Sequence, residues 1–228
     1  MNATVAARAG HHPGEDPHRL GRRDHGGGAG SGALGQSGHG PAGKRIVVGF
    51  GFWIFLLSDI VMFSAIFAAY AVLEGATAGG PSGRALFDLR NVGIETLSLL
   101  LSSFTCGLAM IVAQRRSRFW AQLWLLVTAA LGMIFLSLEL HEFAGMIARG
   151  AGPQRSAFLS SFFMLVGCHG LHVTCGLLWL GTMMAQIQVR GFLPNIMRRL
   201  MCFSLFWHAL DIIWVALFTI VYLMGAGQ

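Results

Sequence analysis

From Ile46 onward the chain alternates long apolar stretches with short polar connections, and the stretches set the expected fold. They are bounded at about 46–73, 92–113, 119–146, 157–187 and 200–224. Each is long enough to cross roughly 30 Å of hydrocarbon as a helix, since about 20 residues rising 1.5 Å each suffice. The connections carry the breakers this reading needs. Gly79, Gly80, Pro81 and Gly83 lie between the first two stretches, Gly150 to Pro153 follow the third, and Gly191 with Pro194 follow the fourth. Residues 114–118 form the tightest link, a basic turn. The expectation is an all-α polytopic membrane protein: a bundle of five transmembrane helices over 45–228.

Residues 1–44 differ in kind. They hold twelve Gly, five His (His11, His12, His18, His25, His39) and no aromatic residue. Such a segment cannot bury a core and reads as a retained, disordered tail without the apolar run of a secretory signal.

Composition agrees with a chain solvated by lipid. Of 228 residues, 54% are hydrophobic and only 11% charged, against about a quarter charged in a soluble domain; the mean hydropathy is +0.62. A net charge of +6 invites a nucleic-acid reading, but the basic residues fall in short clusters between apolar runs, which is a topology signal; no nucleic-acid partner is expected. The four cysteines (Cys106, Cys168, Cys175, Cys202) lie inside apolar stretches without C-x-x-C spacing and read as small buried hydrophobes.

Positive residues in short connections are retained on the cytoplasmic side of a membrane. One side holds Arg8, Arg19, Arg22, Arg23, Lys44, Arg45, Arg115, Arg116, Arg118, Arg190, Arg198 and Arg199; the other holds Arg84, Arg90, Arg149 and Arg155. Twelve against four places the N-terminus in the cytoplasm and, after an odd number of spans, the C-terminus outside.

Ionisable groups within spans are expensive facing lipid and should face a partner or a cavity. On the first span Asp59 shares a stripe with Phe55, Phe63, Ile66 and Tyr70; on the second, Glu95 shares a small polar face with Ser98, Ser102 and Cys106. Thr128, Gly132, Phe135, Glu139 and Glu142 align on the third, while His141 points elsewhere. The fourth has Ser161, Leu165, His169, His172 and Gly176 on one arc, and the fifth has Ser204, His208, Asp211, Val215, Thr219 and Tyr222. Counting from the span edges, Asp59, His169, His172, His208 and Asp211 fall near mid-depth, where they could meet. Three readings are open: a metal site, a bis-histidine haem site, and a cofactor-free hydrogen-bonded network. The Glu-x-x-His repeat of dinuclear bundles does not occur; the fourth span offers His-x-x-His and the fifth His-x-x-Asp. G-x-S-x-G, Walker A and H-E-x-x-H are also missing.

Five segments together resemble subunit III of the haem-copper terminal oxidases: Phe52 to Asp59, Ile94 to Thr96, Glu139 to Phe143, Gly167 to Val173 and Phe206 to Trp214. The His-Gly-Leu-His and Trp-His-x-x-Asp segments, in order on the last two spans, are the specific part. Five spans, a His-rich tail, Thr77 to Gly83 and Gly152 to Leu159 are similar to the quinol-oxidising, cytochrome bo-type ubiquinol oxidase branch; members that oxidise cytochrome c often have seven helices. The first-helix acid is often Glu in this family and is Asp59 here.

The resemblance implies an accessory, non-catalytic subunit in a bacterial plasma membrane. Haems and copper would sit in subunit I, which reduces oxygen to water with quinol electrons while protons move outward. This chain would hold no redox centre, pack on subunit I beside subunits II and IV, bind phospholipid, and support assembly and sustained turnover. Asp59, Glu95, Glu139, Glu142, His169, His172, His208 and Asp211 would form its intramembrane polar network. The alternative is an autonomous membrane metalloprotein or b-type cytochrome using His169, His172 and His208.

Overall fold

The computed structural model describes residues 44–76 and 89–223. The expected tail, the Thr77 to Gly83 connection and the last residues after 223 lie outside them. Within them the chain forms five long helices: α1 (Lys44–Leu73), α2 (Leu89–Gln114), α3 (Arg118–Ala148), α4 (Ala157–Arg190) and α5 (Pro194–Leu217), the last continued by a π-helical segment, Phe218–Leu223. All five are long and apolar enough to cross a membrane. The protein is a multi-pass membrane protein.

Local chemistry explains the ends. Ser156 caps α4, its Oγ accepting from the Leu159 amide at 3.2 Å. At the other end Gly191 ends the helix with φ +69°, a left-handed conformation glycine adopts freely, and a side chain there would also meet the Arg118 guanidinium. The sequence pattern starts the fifth span near residue 200 with Pro194 as a breaker. The structure corrects this: Pro194 occupies the first helical turn, where its missing N–H costs nothing, so α5 begins six residues earlier and carries Arg198 and Arg199 on helix.

α5 is the central helix. It packs against α1, α2 and α4, while α2 pairs most extensively with α3 and α3 also meets α4. More than half of its most apolar stretch (56%) is buried, against 11% for α1, which lies at the edge of the bundle with Ile46, Phe50, Val61 and Val72 facing outward. Trp207 of α5 fills a notch above two glycines, Gly132 on α3 and Gly176 on α4, and its Nε1 donates to Ser102 Oγ on α2 at 3.1 Å. One side chain thus touches three neighbouring helices. The cysteines are all free thiols; Cys106 and Cys202 are buried, but Cys168 is half-buried and Cys175 is exposed, which corrects the reading of all four as buried.

Candidate functional site

The mid-depth groups come together in two places. Between α1 and α4, His172 Nδ1 donates to the Cys168 carbonyl at 2.7 Å, which turns Nε2 toward Asp59 Oδ2 at 3.8 Å. That separation is longer than a direct hydrogen bond. Phe63 packs on the same imidazole, with centroids 5.3 Å apart. Between α2 and α5, Ser103 Oγ lies 2.6 Å from His208 Nδ1, with Asp211 beside both. This trio lines a groove of about 480 Å³ floored by Leu100, Phe104, Gly107 and Ile111. Ser103 was invisible to the stripe pattern, which selects Ser98 and Ser102 one helical position away. Only the packing of α5 reveals which serine faces His208.

His169 behaves differently from its neighbours. It is fully buried, neither ring nitrogen has a hydrogen-bond partner among the described residues, and aromatic rings enclose it: Trp214 at 5.2 Å, Phe135 at 5.8 Å and Phe63 at 6.4 Å. Rings at contact distance on these sides leave no slot for a porphyrin plane, and His208 is committed to Ser103 on another face of α5. No group of three or more His, Cys, Asp or Glu is arranged to hold a metal ion among the described residues. The donor set therefore does not fit the metalloprotein or b-type cytochrome alternative.

The acids form a third group toward one end of the bundle. Glu95 of α2 and Glu139 of α3 are almost wholly buried, and with Glu142 they face one another, close to Tyr222. Tyr70 of α1 is close to Tyr222 in turn. Neither oxygen of Glu139 has a hydrogen-bond partner among the described residues, nor has Glu95 Oε2. Neutral bonds also stitch the helices pairwise: Thr105 to Thr128 at 2.9 Å, the Trp214 indole to Thr96 beside Glu95 at 3.0 Å, and, farther along, Gln122 Nε2 to the Met184 carbonyl at 2.9 Å. Together these arrangements hold helices in register, which is what interhelical polar groups do in lipid.

Comparison with known proteins extends this geometry to a family. Residues 35–226 match the cytochrome c oxidase subunit III family. The chain is 56% identical over 177 residues to cytochrome bo(3) ubiquinol oxidase subunit 3 of Pseudomonas aeruginosa, covering 78% of this chain and 85% of that protein. It is 44% identical over 177 residues to quinol oxidase subunit 3 of Bacillus subtilis, covering 78% and 87%. To the Pseudomonas putida cytochrome bo(3) ubiquinol oxidase subunit 3 it is 51% identical over 175 residues, covering 77% and 84%.

Proposed function

The chain belongs to the cytochrome c oxidase subunit III family, and from that membership we propose that it is the accessory third subunit of a quinol-oxidising member of the cytochrome bo type. The observation that carries this is the match to relatives named for quinol oxidation over most of their length, with five helices long and apolar enough to span a membrane. In this reading quinol electrons reduce oxygen at the haems and copper of subunit I, which the chain contacts together with subunits II and IV. The residues of this chain do no redox chemistry. They hold a stable helical face for the catalytic subunit.

The lipid-binding part of this reading is supported by a groove of about 550 Å³ between α1 and α5. Trp53, Ile60, Phe63, Phe67, Ile212 and Ile220 line it, an almost wholly apolar wall that suits acyl chains. Orientation follows from the basic residues, with the N-terminus in the cytoplasm of a bacterium and the C-terminus outside. A reporter active only outside should work when fused after Gln228 and fail when fused after Arg116; the reverse pattern refutes the orientation.

Tagging the chain, extracting it in mild detergent and recording the visible spectrum tests the assignment. Haem should co-purify with larger subunits, and the chain separated from them should show no Soret band. A Soret band retained by the separated chain would return the reading to an autonomous cytochrome.

A further inference from the structure

The outward stripe of α2 runs Leu100, Phe104, Gly107, Ile111 and Gln114, spaced by four, three, four and three residues. That alternation is the seam a helix turns toward a neighbouring helix over two heptads. Here the seam is open, with Leu100, Phe104 and Ile111 exposed. Gly107 sits at its centre, where a Cβ would meet nothing within 4 Å, so another backbone can approach α2 closely there.

Two polar stations lie along the groove that α2 forms with α5. At mid-depth Ser103, His208 and Asp211 line it beside Gly107. At the end that carries the α2–α3 turn, the same two helices border a cavity of about 620 Å³ lined by Gln114, Arg116, Met197 and Arg198. Arg116 is exposed, and Arg198 gives one N–H to Asn195 Oδ1 and keeps its other donors. From Ser103 to Arg116 along α2 is about 20 Å, and from His208 to Arg198 along α5 about 15 Å, at 1.5 Å per residue.

The two stations together identify the class of occupant. An acyl chain offers nothing to the mid-depth trio, and a phospholipid phosphate reaches the arginines alone. A helix answers both, because residues about eleven apart lie three turns along one face, separated by about 16 Å, within the span between the stations. Its mid-depth residue has to bring an N–H or O–H, since a second carboxylate would face Asp211. Its other residue has to be Asp or Glu, which accepts from the guanidinium groups of Arg116 and Arg198.

We propose that the α2–α5 groove seats one transmembrane helix of a partner subunit, which carries a hydrogen-bond donor at mid-depth and, about eleven positions away, an acidic residue set against Arg116 and Arg198. The inference rests on the subunit assignment made above and deepens it by giving the chemistry of the neighbour. The seam supplies the packing, Gly107 the close approach, and the two stations the register of the incoming helix.

A photo-crosslinking amino acid placed at Ile111 of the full tagged chain, activated in native membranes, tests this through the sequence of the peptide it captures. The peptide should be an apolar helix with an N–H- or O–H-bearing side chain and an Asp or Glu three turns away. Arg116→Glu with Arg198→Glu should cut capture about tenfold or more, as the loss of charge-assisted hydrogen bonds does, and replacing the partner's acid with Lys should restore it. Gly107→Trp fills the seam where this chain packs nothing of its own, so capture per chain should fall; it stands as the test if the doubly reversed chain fails to accumulate. Lipid adducts alone, a peptide from a second copy of this chain, a captured helix without the acid, or undiminished capture in Gly107→Trp overturns the proposal. Haem in the purified complex without the capture sinks the docking site and leaves the subunit assignment standing. Capture of a fitting helix from a complex without haem does the reverse.

Discussion

Gly176 shows how much can hang on a missing side chain. A Cβ at this position would lie 2.9 Å from Trp207 Cζ3 and 3.2 Å from Phe206 Cε1, and both rings belong to the buried face of α5. Trp207 has little room to retreat, because the α3 backbone at Gly132 is so close that a Cβ there would lie 3.0 Å from Trp207 Cη2, and its Nε1 is bonded to Ser102. Overpacking of this kind typically costs about 1 to 3 kcal/mol. Gly176→Ala should therefore lower the thermal midpoint of the detergent-solubilised protein, and pairing it with Trp207→Phe, which frees space around the indole, should recover part of the loss. A midpoint unchanged by Gly176→Ala would mean that α4 and α5 sit farther apart than the structure places them.

Among elements, α1 depends most on a single polar contact. It is the least buried helix, and its interior ties are Asp59 to His172 and aromatic contacts such as Phe52 with Trp179 at 5.9 Å and Tyr70 with Phe158 at 6.0 Å. Interhelical polar bonds in membranes are worth about 0.6 to 2 kcal/mol. Asp59→Asn should loosen α1 selectively, seen as faster protease cleavage in the connection after Leu73 while Trp207-centred packing stays intact; equal cleavage in both proteins would show that the aromatic contacts alone hold the helix. The five helices were legible in the sequence because apolar length is the strongest signal a membrane chain carries. The α5 start was not, since a proline between spans reads as a breaker unless the first-turn position is known. The partners of the polar residues were also hidden: Asp59 and His172 sit on stripes that the sequence shows, but Ser103 as the companion of His208, and the aromatic enclosure of His169, depend on how α5 rotates against α2, α3 and α4. Periodicity reports which face a residue occupies, never which face it meets.

At the scale of the whole molecule, the α2 and α5 surface presents Ser103, His208 and Asp211 inside an otherwise apolar groove. Ionisable groups facing lipid are costly, so a surface of this kind is built to be covered, and in the proposed complex a neighbouring subunit covers it. Asp211 Oδ1 is buried without a hydrogen-bond partner among the described residues, while the carboxyl stands against Ser103 and His208. Asp211→Asn keeps the shape and removes the charge, at an expected cost of about 0.6 to 2 kcal/mol per lost bond. That is about three- to thirtyfold in an association constant, enough to reduce the amount of complete complex or shorten its working lifetime. On the accessory reading proposed above, which puts the reacting metals in another subunit, the initial rate of oxygen reduction per haem should stay near the wild-type value. Measuring haem-normalised turnover alongside the ratio of subunits separates the two effects. An Asp211→Asn complex that assembles in full yet has almost no initial activity would place this groove in the chemistry itself and end the accessory assignment.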